Sequence, residues 1–219
     1  MANSTPVTAL FPTAYLPSVY YMTCLSQYES IAIETKETFP KQTHRNRAVI
    51  ATGNGLQVLS VPVVRPQGNH TRIEEIGISY QEPWHIRHWR AIVSAYSAAP
   101  YFLYYRDGIE KILLQPYERL VDLNNTMLAH LLKKLKINCE IAYTEDYTPA
   151  TNNNLSALHD FRTTLCAKHA QPSVTFPPYS QVFDTRYGFL PNLSILDLLF
   201  NLGPQSLQYL KGLCSSTPQ

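Results

Sequence analysis

Charge is scarce in this sequence. Asp, Glu, Lys and Arg make up 16% of 219 residues, and the formal net charge is +2. So small an excess of cations does not announce nucleic-acid binding, which calls for a basic face. Long apolar runs are missing as well. No stretch of 18 apolar residues occurs, so no membrane span is expected, and the N-terminus lacks a basic region followed by an apolar one. The four cysteines (Cys24, Cys139, Cys166 and Cys214) form no C-x-x-C pair and no Cys/His cluster with zinc-finger spacing. The expectation is a cytoplasmic protein with reduced thiols and no metal site. Matches to N-x-[ST] at Asn69-His70-Thr71 and Asn192-Leu193-Ser194 are then accidental. Gly-x-Ser-x-Gly, Gly-x-Gly-x-x-Gly and P-loop patterns are absent, so the simplest serine-hydrolase, dinucleotide and NTPase readings lack support. No internal repeat is present, and Cys24, in an apolar helical run with no base beside it, reads as a small hydrophobe.

What is present suits one domain over 7–213, with flexible tails at 1–6 and 214–219. Hydrophobic residues make up 45%, and tyrosine is abundant, 15 against 8 phenylalanines. A tyrosine-rich core rim is the plain reading, because each ring carries an apolar body and a polar tip. Segments 7–15 and 30–35 read as strands around a short helix opened by Pro17, a βαβ start. A hairpin over 46–64 turns at Gly53-Asn54-Gly55, where positive φ is needed. Another strand is expected at 72–79. Helices are expected at 84–96, at 101–113 and over the three-four apolar spacing from Leu123 to Leu135 with Asp122 as its cap. A strand at 138–144, a loop at 145–154 and a helix at 155–168 follow. Ser194 with Asp197 resembles a capping box before an apolar helix that Gly203 and Pro204 end. The fold class is α/β: a mixed sheet begun by the βαβ unit plus a hairpin, with a helical second half packed on it.

Three constellations can carry chemistry. The first is Lys41-Gln42-Thr43-His44-Arg45-Asn46-Arg47, with three cations, an imidazole and two carboxamides. Arginine offers a planar donor fork for phosphate, and lysine a point charge. Asn46 suits a sugar hydroxyl or a uracil or thymine edge, and His44 titrates near neutrality. The structural alternative is an entry loop whose arginines pair with Glu34 and Glu37. Ligands of open α/β sheets gather beyond the carboxyl ends of the strands, which would bring Tyr15, Glu34 and this segment to one rim. The second is Trp84-His85-Ile86-Arg87-His88-Trp89-Arg90. Here Trp89 can stack on a ligand and His88 can act as acid or base, or the helix simply buries its tryptophans. The third sets Gln181 and Asn192 among large apolar residues, where amides either fix loops or meet a ligand.

Tyr15-Leu16-Pro17-Ser18, Ile33-Glu34, the 41–47 segment, Asn54-Gly55, Leu59-Ser60-Val61-Pro62, the run Trp84 to Trp89, Ser94-Ala95-Tyr96-Ser97-Ala98-Ala99-Pro100-Tyr101-Phe102 and Asn192-Leu193-Ser194-Ile195-Leu196-Asp197-Leu198-Leu199 together resemble the WbqC-like family. The order and spacing of these pieces carry the resemblance over roughly Tyr15 to Pro204. It implies a bacterial or archaeal protein of a family in which some members are associated with O-antigen and other surface-polysaccharide pathways. The implied activity is transfer of an acyl or aminoacyl group to a nucleotide-linked 4-amino-deoxysugar. His44 departs from the aromatic residue this family pattern has between Thr43 and Arg45, which weakens its case as a general base.

On this reading Lys41, Arg45 and Arg47 hold a pyrophosphate, and Asn46, Gln181 or Asn192 orients the sugar or base. Trp89 or Tyr15 stacks, and His88, His44 or Glu34 takes a proton from the attacking ammonium. The cofactor is unknown and no motif identifies the acyl donor; an adenylate, coenzyme A and aminoacyl-tRNA all stay open. The alternative is a non-catalytic sugar-nucleotide-binding or scaffold protein of a glycan-assembly pathway. The enzyme reading requires a titratable group and the Arg45/Arg47 pair to line one pocket; if the arginines are spent on Glu34 and Glu37 outside any cleft, it fails.

Overall fold

A computed structural model of the chain describes residues 9–40, 43–147, 158–165 and 174–214. Strand β1 (Ala9–Pro12), helix α1 (Val19–Leu25) and strand β2 (Ser30–Glu34) form the expected βαβ start. The strands are parallel, with Ala9 opposite Ile31 and Pro12 opposite Glu34. Every residue of the three elements is buried, which explains why the strands read as continuous runs rather than alternation. Helix α1 begins where the Ser18 hydroxyl accepts from the Tyr21 amide at 3.2 Å. Pro12 is confined to the last position of β1, where its carbonyl accepts from the Tyr21 hydroxyl at 2.8 Å.

Strands β3 (Arg47–Thr52) and β4 (Gly55–Ser60) make the hairpin, which forms a two-stranded sheet of its own. Gly55 supplies the positive φ, +98°, at the turn. The strand expected over 72–79 is mostly something else. Short strands β5 (Val63–Val64) and β6 (Gly77–Ile78) pair antiparallel, and Ile73–Glu75 is a 3-10 turn. The Glu75 carboxylate accepts from the Arg72 amide at 3.1 Å and closes that turn. Ile73 and Ile76 are both fully buried; their spacing is the turn's period of three, not a flawed alternation.

Helices α2 (Trp84–Tyr96), α3 (Phe102–Leu114) and α4 (Leu120–Leu135) follow. Arg119, not Asp122, holds the N-cap position of α4. Asp122 sits in the first turn and accepts from Arg119 Nε at 3.2 Å. Leu120, Leu123, Met127 and Leu131 are fully buried along one stripe. Strands β7 (Glu140–Tyr143) and β8 (His159–Asp160) come next, then α5 (Asp184–Tyr187), α6 (Ile195–Leu202) and α7 (Ser206–Cys214). The described part of the expected 155–168 helix is β8 and a turn. The Asp160 carboxylate accepts from the Arg162 amide at 3.0 Å, a local bond that competes with helix, and β8 pairs with β1. Residues 148–157 and 166–168 lie outside the described residues, as do 1–6 and 215–219 of the expected tails, while Cys214, expected to begin the C-terminal tail, ends α7. Ser194 does cap α6, accepting from the Leu196 amide at 3.4 Å, but Asp197 turns inward instead of completing a capping box.

The architecture is α/β. Its main sheet has the order β7-β2-β1-β8 with every pair parallel. The chain steps from β1 to β2 and on to β7 on one side, then returns to place β8 on the other side of β1. Winding reverses between β1 and β8. That topological switch point, at the carboxyl ends of the strands, is where open parallel sheets bind ligands.

Candidate functional site

Five charged side chains meet at the carboxyl edge. Glu34, the last residue of β2, is fully buried. One of its oxygens accepts from the Thr144 hydroxyl and the Lys36 amide, both at 2.8 Å, and the other from Arg162 Nη1 at 3.2 Å. Arg162 follows β8 and also forks onto Asp160, with Nε at 3.0 Å and Nη2 at 2.5 Å. Arg45, 3% exposed, donates from Nε and Nη2 to a single oxygen of Glu37, at 2.9 and 2.6 Å. The second Glu37 oxygen has no protein partner among the described residues. Burial pushes the Glu37 pKa up and the nearby Glu34 charge adds to this, outweighing Arg45 and Arg162. Behind the cluster, Asn124 of α4 donates to the Arg45 carbonyl at 2.8 Å and to the Thr13 hydroxyl at 3.1 Å; its buried Oδ1 has no partner among the described residues. The arrangement offers a carboxylate with one oxygen held by Arg45, the other without a partner among the described residues, and a pKa raised above its ordinary value by burial.

The loop after β1 is held under backbone strain. Leu16 lies at φ +43° directly before Pro17, a left-handed conformation that a branched residue preceding proline disfavours. It is fixed by the Ser194 hydroxyl, which donates to the Leu16 carbonyl at 3.1 Å, and by the Ile195 amide on the Pro17 carbonyl at 2.7 Å. Tyr15 is fully buried. Its amide donates to the His44 carbonyl at 3.0 Å, and its hydroxyl is 2.9 Å from His88 Nδ1. Burial, with His85 nearby, pushes the His88 pKa down to about 4. The His88 ring is therefore expected to stay neutral from pH 8 to 5, as nitrogen-resolved NMR of the imidazole will read. The unfolded chain takes up this proton near the ordinary histidine value of about 6.5, so stability falls as pH drops from there toward 4.

Neighbours in the 41–47 segment go separate ways. Lys41 lies outside the described residues. Asn46 commits its amide nitrogen to the Val61 carbonyl at 2.9 Å. His44 faces a groove of about 350 Å³ between the hairpin and the 176–193 stretch, walled by Val49, Leu56, Phe176 and Leu190, with Asn192 at its side. Arg47, on the same face of β3 as Val49, has no carboxylate partner among the described residues, and its Nε is buried unpaired. Arg45 thus takes the structural pairing with Glu37, and the groove's lining holds His44 but neither arginine, so the Arg45/Arg47 pair does not line one pocket.

Among the described residues, Trp89 and Gln181 make their ring contacts and hydrogen bonds away from the charged cluster. Trp89 stacks on Phe102 at 6.3 Å beneath the Arg106 guanidinium. Gln181 donates to buried Asp197 at 2.8 Å and to the Leu190 carbonyl at 2.9 Å, and accepts from the Leu190 amide at 2.8 Å, pinning that loop. A depression of about 670 Å³ lies at the amino end of β7 beside Glu29, Lys133 and Cys139. It is broad and open and sits at the edge of the sheet opposite to the charged cluster.

The pattern that defines the WbqC-like protein family matches residues 13–173, a span that holds Tyr15, the whole charged cluster and His88. The chain belongs to the WbqC-like family. It is similar to an uncharacterised protein of Mycobacterium tuberculosis, 28% identical over 224 aligned positions that cover 93% of this chain and 96% of the relative. No solved structure matches. Among the described residues of this WbqC-like chain, no cluster of His, Cys, Asp or Glu could hold a metal ion, and no helix is long and apolar enough to cross a membrane. Sequence reasoning passed over Arg162, Asp160, Phe176 and Asn124, and treated Glu37 only as a partner for arginine. Glu37 carried one signal, its place three residues beyond the end of β2 on the ligand-binding edge.

Proposed function

We propose that this WbqC-like protein works in the cytoplasm on a nucleotide-linked amino sugar, transferring an acyl or aminoacyl group to the sugar's amine in surface-polysaccharide synthesis. The observation that supports this most is Glu37. Its second oxygen, without a partner among the described residues, sits beside the switch point with a proton affinity raised by burial, which suits a base for an ammonium substrate. In the step, Glu37 takes one proton from the ammonium, and the freed amine attacks the carbonyl carbon of an activated acyl donor. The C–N bond forms as the bond to the donor's leaving group breaks. The electron pair and the second amine proton leave with that group. The donor belongs to the activated acyl class: an adenylate, a coenzyme A thioester or an aminoacyl-tRNA ester.

Roles among the residues named from sequence follow from what each is already doing. Glu34 holds Arg162 and the start of the 35–37 loop, and Arg45 positions Glu37. Arg47 remains for phosphate, and neutral His88 supports Tyr15 under the strained loop. A second reading, a binding or scaffold protein without turnover, draws on the commitment of Arg45 to an ion pair rather than to a ligand. A thermal-shift screen with dTDP- and UDP-linked 4-amino-sugars, followed by mass spectrometry of hits incubated with each donor class, separates the two. A mass gain equal to the acyl group supports transfer. Stabilisation without mass change supports the scaffold, and no response from any sugar nucleotide sinks both.

A further inference from the structure

The hairpin is a sheet of its own, and its two outer edges differ. The β3 edge is covered. The Val49 carbonyl accepts from the Ser194 amide at 2.8 Å, and neighbouring Asn192 is held in turn, its Oδ1 accepting from the Tyr20 amide at 2.8 Å. The β4 edge is bare among the described residues. The Val61 amide donates to the Asn46 carbonyl at 2.9 Å, and this sets the phase of the ladder. Gln57 and Leu59 turn their N–H and C=O toward β3, whereas Leu56, Val58 and Ser60 turn theirs outward. None of those outward groups has a hydrogen-bond partner among the described residues.

The side chains along this edge are exposed too, Leu56 by 61% and Val58 by 55%. A sheet edge that stays in water is guarded by a lysine, a proline, a bulge or an inward-pointing charge. Residues 55–60 read Gly-Leu-Gln-Val-Leu-Ser and carry no charge and no proline. Their register runs without a bulge from Gly55, opposite Thr52, to Ser60, opposite Arg47. A strongly charged partner segment would find no counter-charge on this strand. A second copy of the strand meets no such mismatch, because the edge is complementary to itself. Laid antiparallel about a two-fold axis at Val58, two copies set Val58 opposite Val58 and Leu56 opposite Ser60. Every residue in those pairs has its backbone groups turned outward, so each pair exchanges both hydrogen bonds. Slipping the register by one residue would face outward groups with inward ones and break the ladder.

We propose that β4 is the contact of a two-fold dimer, in which two copies of this chain pair β4 antiparallel across Val58 and join their hairpins into a single sheet. Leu56 also walls the groove beside His44. The pairing brings Ser60 of the partner subunit against it, so each groove ends on the other copy. Sedimentation equilibrium over a concentration series, with amide exchange resolved residue by residue, tests the proposal. A concentration-dependent dimer is expected. In it the Leu56, Val58 and Ser60 amides exchange slowly, and dilution to monomer releases them; the Gln57 and Leu59 amides, bonded to β3, stay protected in both states. Val58→Lys sets like charges opposite each other across the axis and is expected to weaken the dimer at least about 10-fold. The monomer should stay folded, because position 58 is exposed. Mixing Val58→Lys with Val58→Asp is expected to recover the dimer, since opposite charges then meet; a damaged hairpin would not be repaired by mixing.

A monomer at about 1 mM overturns the proposal. So does a dimer whose Leu56, Val58 and Ser60 amides exchange as fast as in the monomer. Slow exchange of these three amides in a monomer would show the edge covered by another part of the same chain and would also overturn it. So would a mixture of the lysine and aspartate variants that associates no better than either alone. If the variants fail to fold, the exchange pattern of the unaltered protein still decides.

Discussion

Arg162→Ala is expected to lower folding stability by about 3–5 kcal/mol at neutral pH, the scale for removing one partner of a buried ion pair. Arg162 is 6% exposed and lies between Asp160 and the fully buried Glu34. Without it, two carboxylates withdrawn from water lose their shared counter-charge. Lysine at 162 is expected to recover only part of the loss, because a single ammonium cannot reproduce the fork that grips Asp160. The deficit depends on pH with a definite sign. Burial alone would raise the Asp160 pKa, but the hydrogen bonds and charge of Arg162 outweigh it and hold that carboxyl below its ordinary range. A carboxylate depressed in the folded state stabilises above its unfolded pKa, about 3.9, and ceases to do so as pH falls through the folded value. The gap between parent and variant is therefore full above about pH 4 and narrows below it. Denaturant titrations at pH 7 and pH 3 read this; equal deficits at the two pH values would contradict an electrostatic origin.

Glu37→Gln is expected to cut turnover roughly 100- to 10,000-fold, the range for losing a general base. Glutamine keeps an oxygen for the two Arg45 donors, so the geometry of the pair is preserved while the proton acceptor disappears. Stabilisation by the nucleotide sugar is expected to survive, since a base contributes to the transition state more than to ground-state binding. The parent's rate should fall as pH drops through the Glu37 pKa, which burial places above the ordinary carboxylate value. In the variant that acid limb should vanish. Parental turnover by a folded Glu37→Gln variant would remove Glu37 from the role.

Much of the scaffold was legible because its signals are local. The two buried runs around a Ser18-capped helix, the Gly53-Asn54-Gly55 turn and the leucine stripe of α4 each announce themselves within a few residues. Strand β8 did not, since two residues hold no period and only pairing with β1 defines them. The site was legible as a place but not as a division of labour. The 41–47 segment stood out by composition, yet adjacent side chains in it serve different ends: His44 enters the groove, Arg45 goes to Glu37 and Asn46 goes to Val61. Spacing along a loop does not encode such divergence. Arg162 meets Glu34 across 128 positions, and only the parallel sheet brings them together. Gln181 and Asn192 looked alike in sequence, and the difference lies in which of their atoms the backbone already occupies.

The central claim is that ligand chemistry happens at the carboxyl edge of the sheet, around the switch point between β1 and β8. Hydrogen–deuterium exchange of the full chain, with and without a saturating UDP-linked 4-amino-sugar, tests it most directly. Slowed exchange is expected in the stretches 13–18, 34–40 and 43–49 and at 190–193, with the 129–141 stretch around the larger depression unchanged. Protection confined to 129–141, or no protection anywhere at saturation, would contradict the account.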